Sequence, residues 1–219
     1  SYIPLISLIL IYSLLAVFLF SFENYPVDDD WSYIKAAEIF HHTGEMKFTP
    51  WTAMSLVFQI WWGTCFTKLF GFSVAILRLS TLVISLLGLV FLYRLLQEAI
   101  GNGQDSFLLV LLLLFNPFSL PLNFTFFTDH FFISLLFGAT YFYYKAWKEN
   151  KDCYLLLGSL VSSCAVLVRQ NGILIPVAVV LCLVARERSF KGVARKGLAT
   201  LILPLITLFA YTCWINAIH

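Results

Sequence analysis

The chain has 219 residues, 60% of them hydrophobic and only 12% charged, with a mean hydropathy of +0.87. A soluble domain carries about 25% charged residues, so the composition excludes a water-facing globule and makes lipid the solvent. A formal net charge of +2 is too small for a nucleic-acid binder. The five cysteines, Cys65, Cys153, Cys164, Cys182 and Cys213, are odd in number, scattered and without a CxxC pair. That pattern argues against a disulfide framework or a zinc site.

The expected fold is an all-α integral membrane protein, a single module of about seven transmembrane helices. Spans are drawn at 2–22, 73–95, 106–124, 130–147, 154–168, 172–185 and 197–215. The outer loop 23–72 is expected to carry in-plane interfacial helices. Residues 2–22 are apolar over more than the ~7–15 residues of a signal-peptide core, so a retained span is expected there. "NYPVDDDWSY", 24–33, follows, with three adjacent carboxylates, Asp28, Asp29 and Asp30. The next stretch, "WSYIKAAEIFHH", reads as a helix that lays Trp31, Ile34 and Ile39 on the membrane. "TAMSLVFQIWWGTCFTKLFG", 52–71, is long enough to span. Its Thr, Ser, Gln and Lys residues, with Trp61 and Trp62, suit an interfacial helix better.

The third span ends in "NPFSLPLNFTFFTDH", where Pro117 and Pro121 cannot continue a regular helix and the turn delivers Asp129 and His130. As one helix, 154–185 would be about 48 Å long, beyond a hydrocarbon core of ~30 Å. A break at "RQNG" solves this and leaves Arg169, Gln170, Asn171 and Gly172 recessed from the outer surface, where irregular backbone needs protein or a wet cavity around it. Nothing soluble follows the last span before His219, so a C-terminal extracytoplasmic domain is expected to be absent.

Orientation follows from charge. With the N-terminus inside, the connections 94–105, 145–152 and 186–196 hold Arg94, Lys145, Lys148, Lys151, Arg186, Arg188, Lys191, Arg195 and Lys196, nine of the fourteen Lys and Arg. The outer side takes seven of the twelve acids. The unusual polar groups then share that side: Asp28 to Asp30, Arg78, Asp129 with His130, and Arg169 with Gln170 and Asn171. Ionisable groups near hydrocarbon are functional when they converge. Asp28 reads as a solvated acid, while Asp29 and Asp30 sit at the start of the interfacial helix. A carboxylate there can take a proton from an acceptor hydroxyl, and an arginine fork suits a phosphate. Arg78 also has the length to snorkel to the interface. His41, His42 and Glu45 are a weaker metal candidate, because adjacent residues on a helix point different ways.

"DDDWSYIKAAEIF", "KLFGFSVAILRLS", "FTDHFF" and "VLVRQNG", in this order and spacing, resemble the GT-C membrane glycosyltransferases. The nearest group is glycosyltransferase family 39, the protein O-mannosyltransferase and aminoarabinose transferase type. The resemblance implies a polyprenyl-phosphate-linked sugar donor, an acceptor that is lipid, glycan or protein, and an active face outside the cytoplasm, with a bacterial inner membrane as the expected location. It implies catalytic Asp29 and Asp30, or Asp28 and Asp29 with a one-residue shift, and Tyr33 after them. Asp129 would support the site, and Arg78 and Arg169 would hold the donor phosphate. From the residues alone, His130 reads either as a partner behind Asp129 or as a solvated turn histidine, and Gln170 and Asn171 as polar neighbours behind Arg169. The resemblance fixes no cofactor and leaves a divalent cation open. Where relatives have a "PP" motif this chain has only "TPW", 49–51, and it corresponds to their N-terminal transmembrane module alone. The alternatives are a transporter or flippase for a lipid-linked solute, or a non-catalytic lipid-head-group binder. A transporter built of two related halves would show paired helix interruptions, and only one clear break, 169–172, is present.

Overall fold

The computed structural model describes residues 2–20, 24–52, 54–186 and 189–218. The end of the expected first span at 21–22 and Arg188 of the expected 186–196 connection lie outside the described residues. Every regular element described is helical: α1 (Ile3–Leu19), α2 (Asp30–Thr43), α3 (Val57–Phe70), α4 (Val74–Ile100), α5 (Gly103–Leu114), α6 (Ser119–Leu122), α7 (Thr128–Glu149), α8 (Asp152–Val166), α9 (Leu174–Arg186) and α10 (Phe190–Ile218). A 3₁₀ turn, Gln170–Ile173, joins α8 to α9.

Local chemistry sets most of the boundaries. Ser73 caps α4, its hydroxyl accepting from the Ile76 N–H at 3.2 Å, and Asn102 caps α5 through the Gln104 N–H at 2.9 Å. Gly44 and Gly101 close α2 and α4 in the left-handed conformation that glycine adopts without strain. At 27 residues α4 is about 40 Å long. The expected span 106–124 is not one helix. α5 stops at Leu114, the chain turns through Asn116 and Pro117, and α6 is a single turn.

α4, α7 and α8 form the centre, with α10 on α8 and α1 and α5 on α4. Small residues let these helices approach closely, as in lipid-embedded bundles. A Cβ at Gly88 would strike the Ser134 backbone, and one at Gly158 would strike the Tyr143 ring. The surfaces turned away from the centre are apolar. α1 exposes Ile6, Leu10, Leu14 and Phe18, and α10 exposes Leu198, Ile202, Ile206 and Phe209. Rows of this kind mark a membrane or partner surface. α4 and residues Phe190–Ala217 of α10 are each long and apolar enough to cross a bilayer. Of the three residues expected on the membrane surface of α2, only Trp31 is exposed; Ile34 is buried in the core and Ile39 is half-buried.

Candidate active site at the acidic rim

The rim is assembled by backbone groups that helix ends and breaks leave unpaired. The Asn24 side-chain oxygen accepts the Val74 N–H at the start of α4, at 2.8 Å. Four residues on, Arg78 donates from Nη2 to the Tyr25 carbonyl at 2.7 Å, with its guanidinium 5.8 Å from the Tyr25 ring centre. These contacts strap 24–27 along α4. The chain then turns through Asp28, held at φ +51°, into α2. Asp30 is fully buried at the start of α2. Its Oδ1 accepts the Val27 N–H at 2.6 Å and its Oδ2 the Phe126 N–H at 3.4 Å.

The Phe126 peptide is gripped on both sides, because Gln59 of α3 donates from Nε2 to its carbonyl at 2.7 Å. This fixes the approach to α7 and so the position of Thr128 and Asp129. Arg169 completes the link. It donates from Nε to the Thr128 hydroxyl at 2.9 Å and pairs through Nη2 with Asp129 Oδ1 at 2.8 Å. The side chains of that pair are 24% and 39% exposed, so it faces the rim rather than the core.

The break between α8 and α9 holds Arg169 in place. The Leu167 and Val168 carbonyls, released at the end of α8, accept the Phe58 and Leu56 N–H groups at 3.1 and 3.2 Å. Those N–H groups lie at the start of α3, where a helix has no partner of its own to offer. The Gly172 N–H closes the turn on the Arg169 carbonyl at 2.8 Å.

Tyr33 stands between the two halves. Its ring meets Phe127 edge-on at 6.3 Å. Burial foremost raises the Tyr33 phenol above its ordinary value; the Arg169 charge opposes this, and those of Asp29 and Asp129 add to it. The Tyr33–Phe127 contact and the Asp30–Phe126 bond set the start of α2 against the approach to α7. Asp29 is exposed, and its Oδ1 accepts the Trp51 indole N–H at 3.2 Å. The "TPW" segment therefore has a function in the fold: Thr49 and Thr52 share hydrogen bonds with Ser32, and Trp51 holds Asp29.

Other expected residues go elsewhere. Arg78, expected at a donor phosphate, is only 3% exposed and turned to the Tyr25 carbonyl. His130 shares with Asp129 the wall of a cavity of about 250 Å³ between α4, α5 and α7, where its Nε2 lies 3.3 Å from the Ser119 hydroxyl. Gln170 is half-buried in the 3₁₀ turn and Asn171 is exposed. Glu45 pairs with Lys47 at 2.6 Å, while His41 bonds Thr67 at 2.8 Å, so the expected metal trio does not converge. No group of three acidic, His or Cys side chains converges as metal ligands among the described residues. Sequence reasoning missed Trp51, Gln59 and Thr128. Gln59, a single amide in an apolar run, was the one with a visible signal.

Burial is the main cause raising the Asp30 carboxyl above the ordinary aspartate value. The Val27 and Phe126 N–H groups and the Arg78 charge oppose it, and Asp28 adds to it. The folded protein therefore holds this proton more tightly than the unfolded chain. The stabilisation it brings is complete below the unfolded value and is lost as pH rises through the raised folded one. Asp30→Asn has no proton to lose, so its melting temperature should vary less over the acidic range than that of the wild type. Parallel melting curves for the two proteins at every pH would contradict this.

An all-helical bundle with lipid-facing apolar surfaces and an acidic and basic cluster at one rim has the layout of a GT-C membrane glycosyltransferase. The chain belongs to the dolichyl-phosphate-mannose-protein mannosyltransferase family, whose model matches residues 56–214. The matched segment contains Arg78, Asp129 and Arg169 and begins after the aspartates 28–30. No curated protein and no solved structure matched the chain.

Proposed function

We propose that the protein moves a sugar from a polyprenyl-phosphate donor to an acceptor hydroxyl on the extracytoplasmic side of a membrane, a bacterial inner membrane by the resemblance of its motifs. In this reading the bundle crosses the bilayer about seven times, with α2 and α3 along its outer surface. The ends of the bundle differ in the way this topology requires. Asp28 to Asp30 and Asp129 share one end, while Lys145, Lys148, Lys151, Arg186, Arg195 and Lys196 share the other.

The observation that carries the reading is the rim-facing Arg169–Asp129 pair, tied to the start of α2 and its exposed Asp29 through the Asp30–Phe126 bond and the Tyr33–Phe127 contact. Asp29 takes the proton of the acceptor hydroxyl as its oxygen attacks the anomeric carbon. The bond from that carbon to the phosphate oxygen breaks, and the electron pair leaves with the phosphate. Arg169 stabilises the charge that develops there, and Asp129 orients the guanidinium. Asp30 and Arg78 hold the strap that carries Asp29. The family description makes mannose the first sugar to test.

The test incubates the intact purified protein with radiolabelled polyprenyl-phosphate mannose and measures free polyprenyl phosphate. Release of the lipid phosphate is expected. Uptake of label into vesicles without cleavage would instead establish a transporter. Arg169→Lys keeps the charge but loses the planar fork to Thr128 and Asp129. It should lower kcat/KM by at least tenfold; an unchanged value would remove Arg169 from the site.

A further inference from the structure

The second cavity lies at the far end of α7 from Asp129. It is a trough of about 1060 Å³ between α7, α8, α9 and α10. α9 packs on α10 and only loosely on α7, which leaves the trough between them. Its walls are apolar over most of their length, with Leu136, Leu155, Ile175, Val179 and Leu183 among them. Its far end alone is basic, where Lys148, Arg186 and Lys196 meet.

Among the described residues the cations at that end outnumber the acids: Lys145, Lys148, Lys151, Arg186, Arg195 and Lys196 stand against Glu98, Glu149 and Asp152, and Lys196 also donates to the Asn150 side-chain oxygen at 3.2 Å. Asp152, the acid on the lining, pairs with Arg195 at 3.3 Å, and Glu98 pairs with both Lys145 and Lys148. The Arg186 guanidinium lies 4.4 Å from the Trp147 ring centre, and no carboxylate pairs with it among the described residues. Along α9, Leu174 to Arg186 covers about 18 Å, close to the ~15 Å depth of one leaflet. Leu181 and Val184 of α9 are exposed.

We propose that this trough binds an anionic phospholipid, its phosphate on Arg186, Lys196 and Lys148 and one acyl chain between α7 and α9. Basic pockets between membrane helices recognise anionic head groups in this way. A zwitterionic or uncharged lipid would fill the walls and bring no net negative charge to the basic end. The site lies at the opposite end of the bundle from Asp29 and does not depend on the reaction proposed above, only on the bundle being embedded in lipid.

The intact protein in neutral detergent, titrated calorimetrically with dioctanoyl phosphatidic acid, should bind one saturable equivalent. Dioctanoyl glycerol, which lacks only the phosphate, should not bind, and inorganic phosphate should not compete. Removing two rim cations in Arg186→Gln/Lys196→Gln should weaken binding about 30-fold. Ala178→Trp, which fills the trough without touching the basic end, should abolish it. Unchanged melting temperatures will show that both variants fold. Absence of saturable binding to the wild type, unaltered affinity in either folded variant, equal binding of dioctanoyl glycerol, or displacement by inorganic phosphate would each overturn the proposal.

Discussion

Asp29→Asn is expected to lower kcat for sugar transfer about 10³-fold, within the range a positioned general base contributes, while the donor KM stays close to that of the wild type. The substitution keeps the size of the side chain and an oxygen for the Trp51 indole to bond. It removes the basicity that a proton acceptor needs. A loss confined to kcat marks an interaction made in the transition state. Asp30→Asn should behave differently. Asp30 is buried and bonded to two backbone N–H groups, so its replacement should lower the melting temperature first and activity only through the strap. An Asp29→Asn protein with wild-type turnover would move the proton acceptor elsewhere, and Asp129 would be the next to test.

Gly172→Ala should destabilise the bundle and displace Arg169 together. A Cβ at this position would lie 2.5 Å from the Val166 nitrogen and 2.7 Å from the Ala165 carbonyl carbon. Both are backbone atoms of α8 and cannot rotate aside. Either the last turn of α8 opens or the 3₁₀ turn moves, and overpacking of this kind costs about 1–3 kcal/mol. The melting temperature should fall by roughly 5 °C. Because the Gly172 N–H also closes the turn on the Arg169 carbonyl, donor affinity should weaken as well. Gly197→Ala is the control. Its Cβ would meet only Val180 methyls at 3.8 and 3.9 Å, and alanine suits a helix interior better than glycine. Equal melting temperatures for Gly172→Ala and the wild type would show that α8 yields more easily than its geometry implies.

Both predictions concern residues that stand out in the sequence, yet their roles differ in how far they can be read there. The interruption at 169–172 follows from length and composition: 32 residues from Tyr154 to Ala185 are too many for one span, and a polar cluster divides them. The third helix shows the limit of the same reasoning. Pro117 and Pro121 announced a disturbance, but the helix had already ended at Leu114. The aspartates were recognised as a group and could not be separated. Three identical neighbours carry the same local signal, and only the turn at Asp28 sends Asp29 outward and Asp30 inward.

The sequence by itself determined that lipid is the solvent, that the elements are helices, where most of them start and stop, and which polar residues are out of place among apolar ones. These properties depend on composition, on periodicity and on caps, prolines and glycines acting on their immediate neighbours. The tertiary structure alone decided partners. It bonded Asp30 to the peptide of Phe126, 96 residues away. It turned Arg78 to the Tyr25 carbonyl, paired Arg169 with Asp129, and set His130 beside the Ser119 hydroxyl. Such pairings are set by which unpaired backbone donors and acceptors the packed helices bring within hydrogen-bond distance, and no local pattern in the chain encodes that distance.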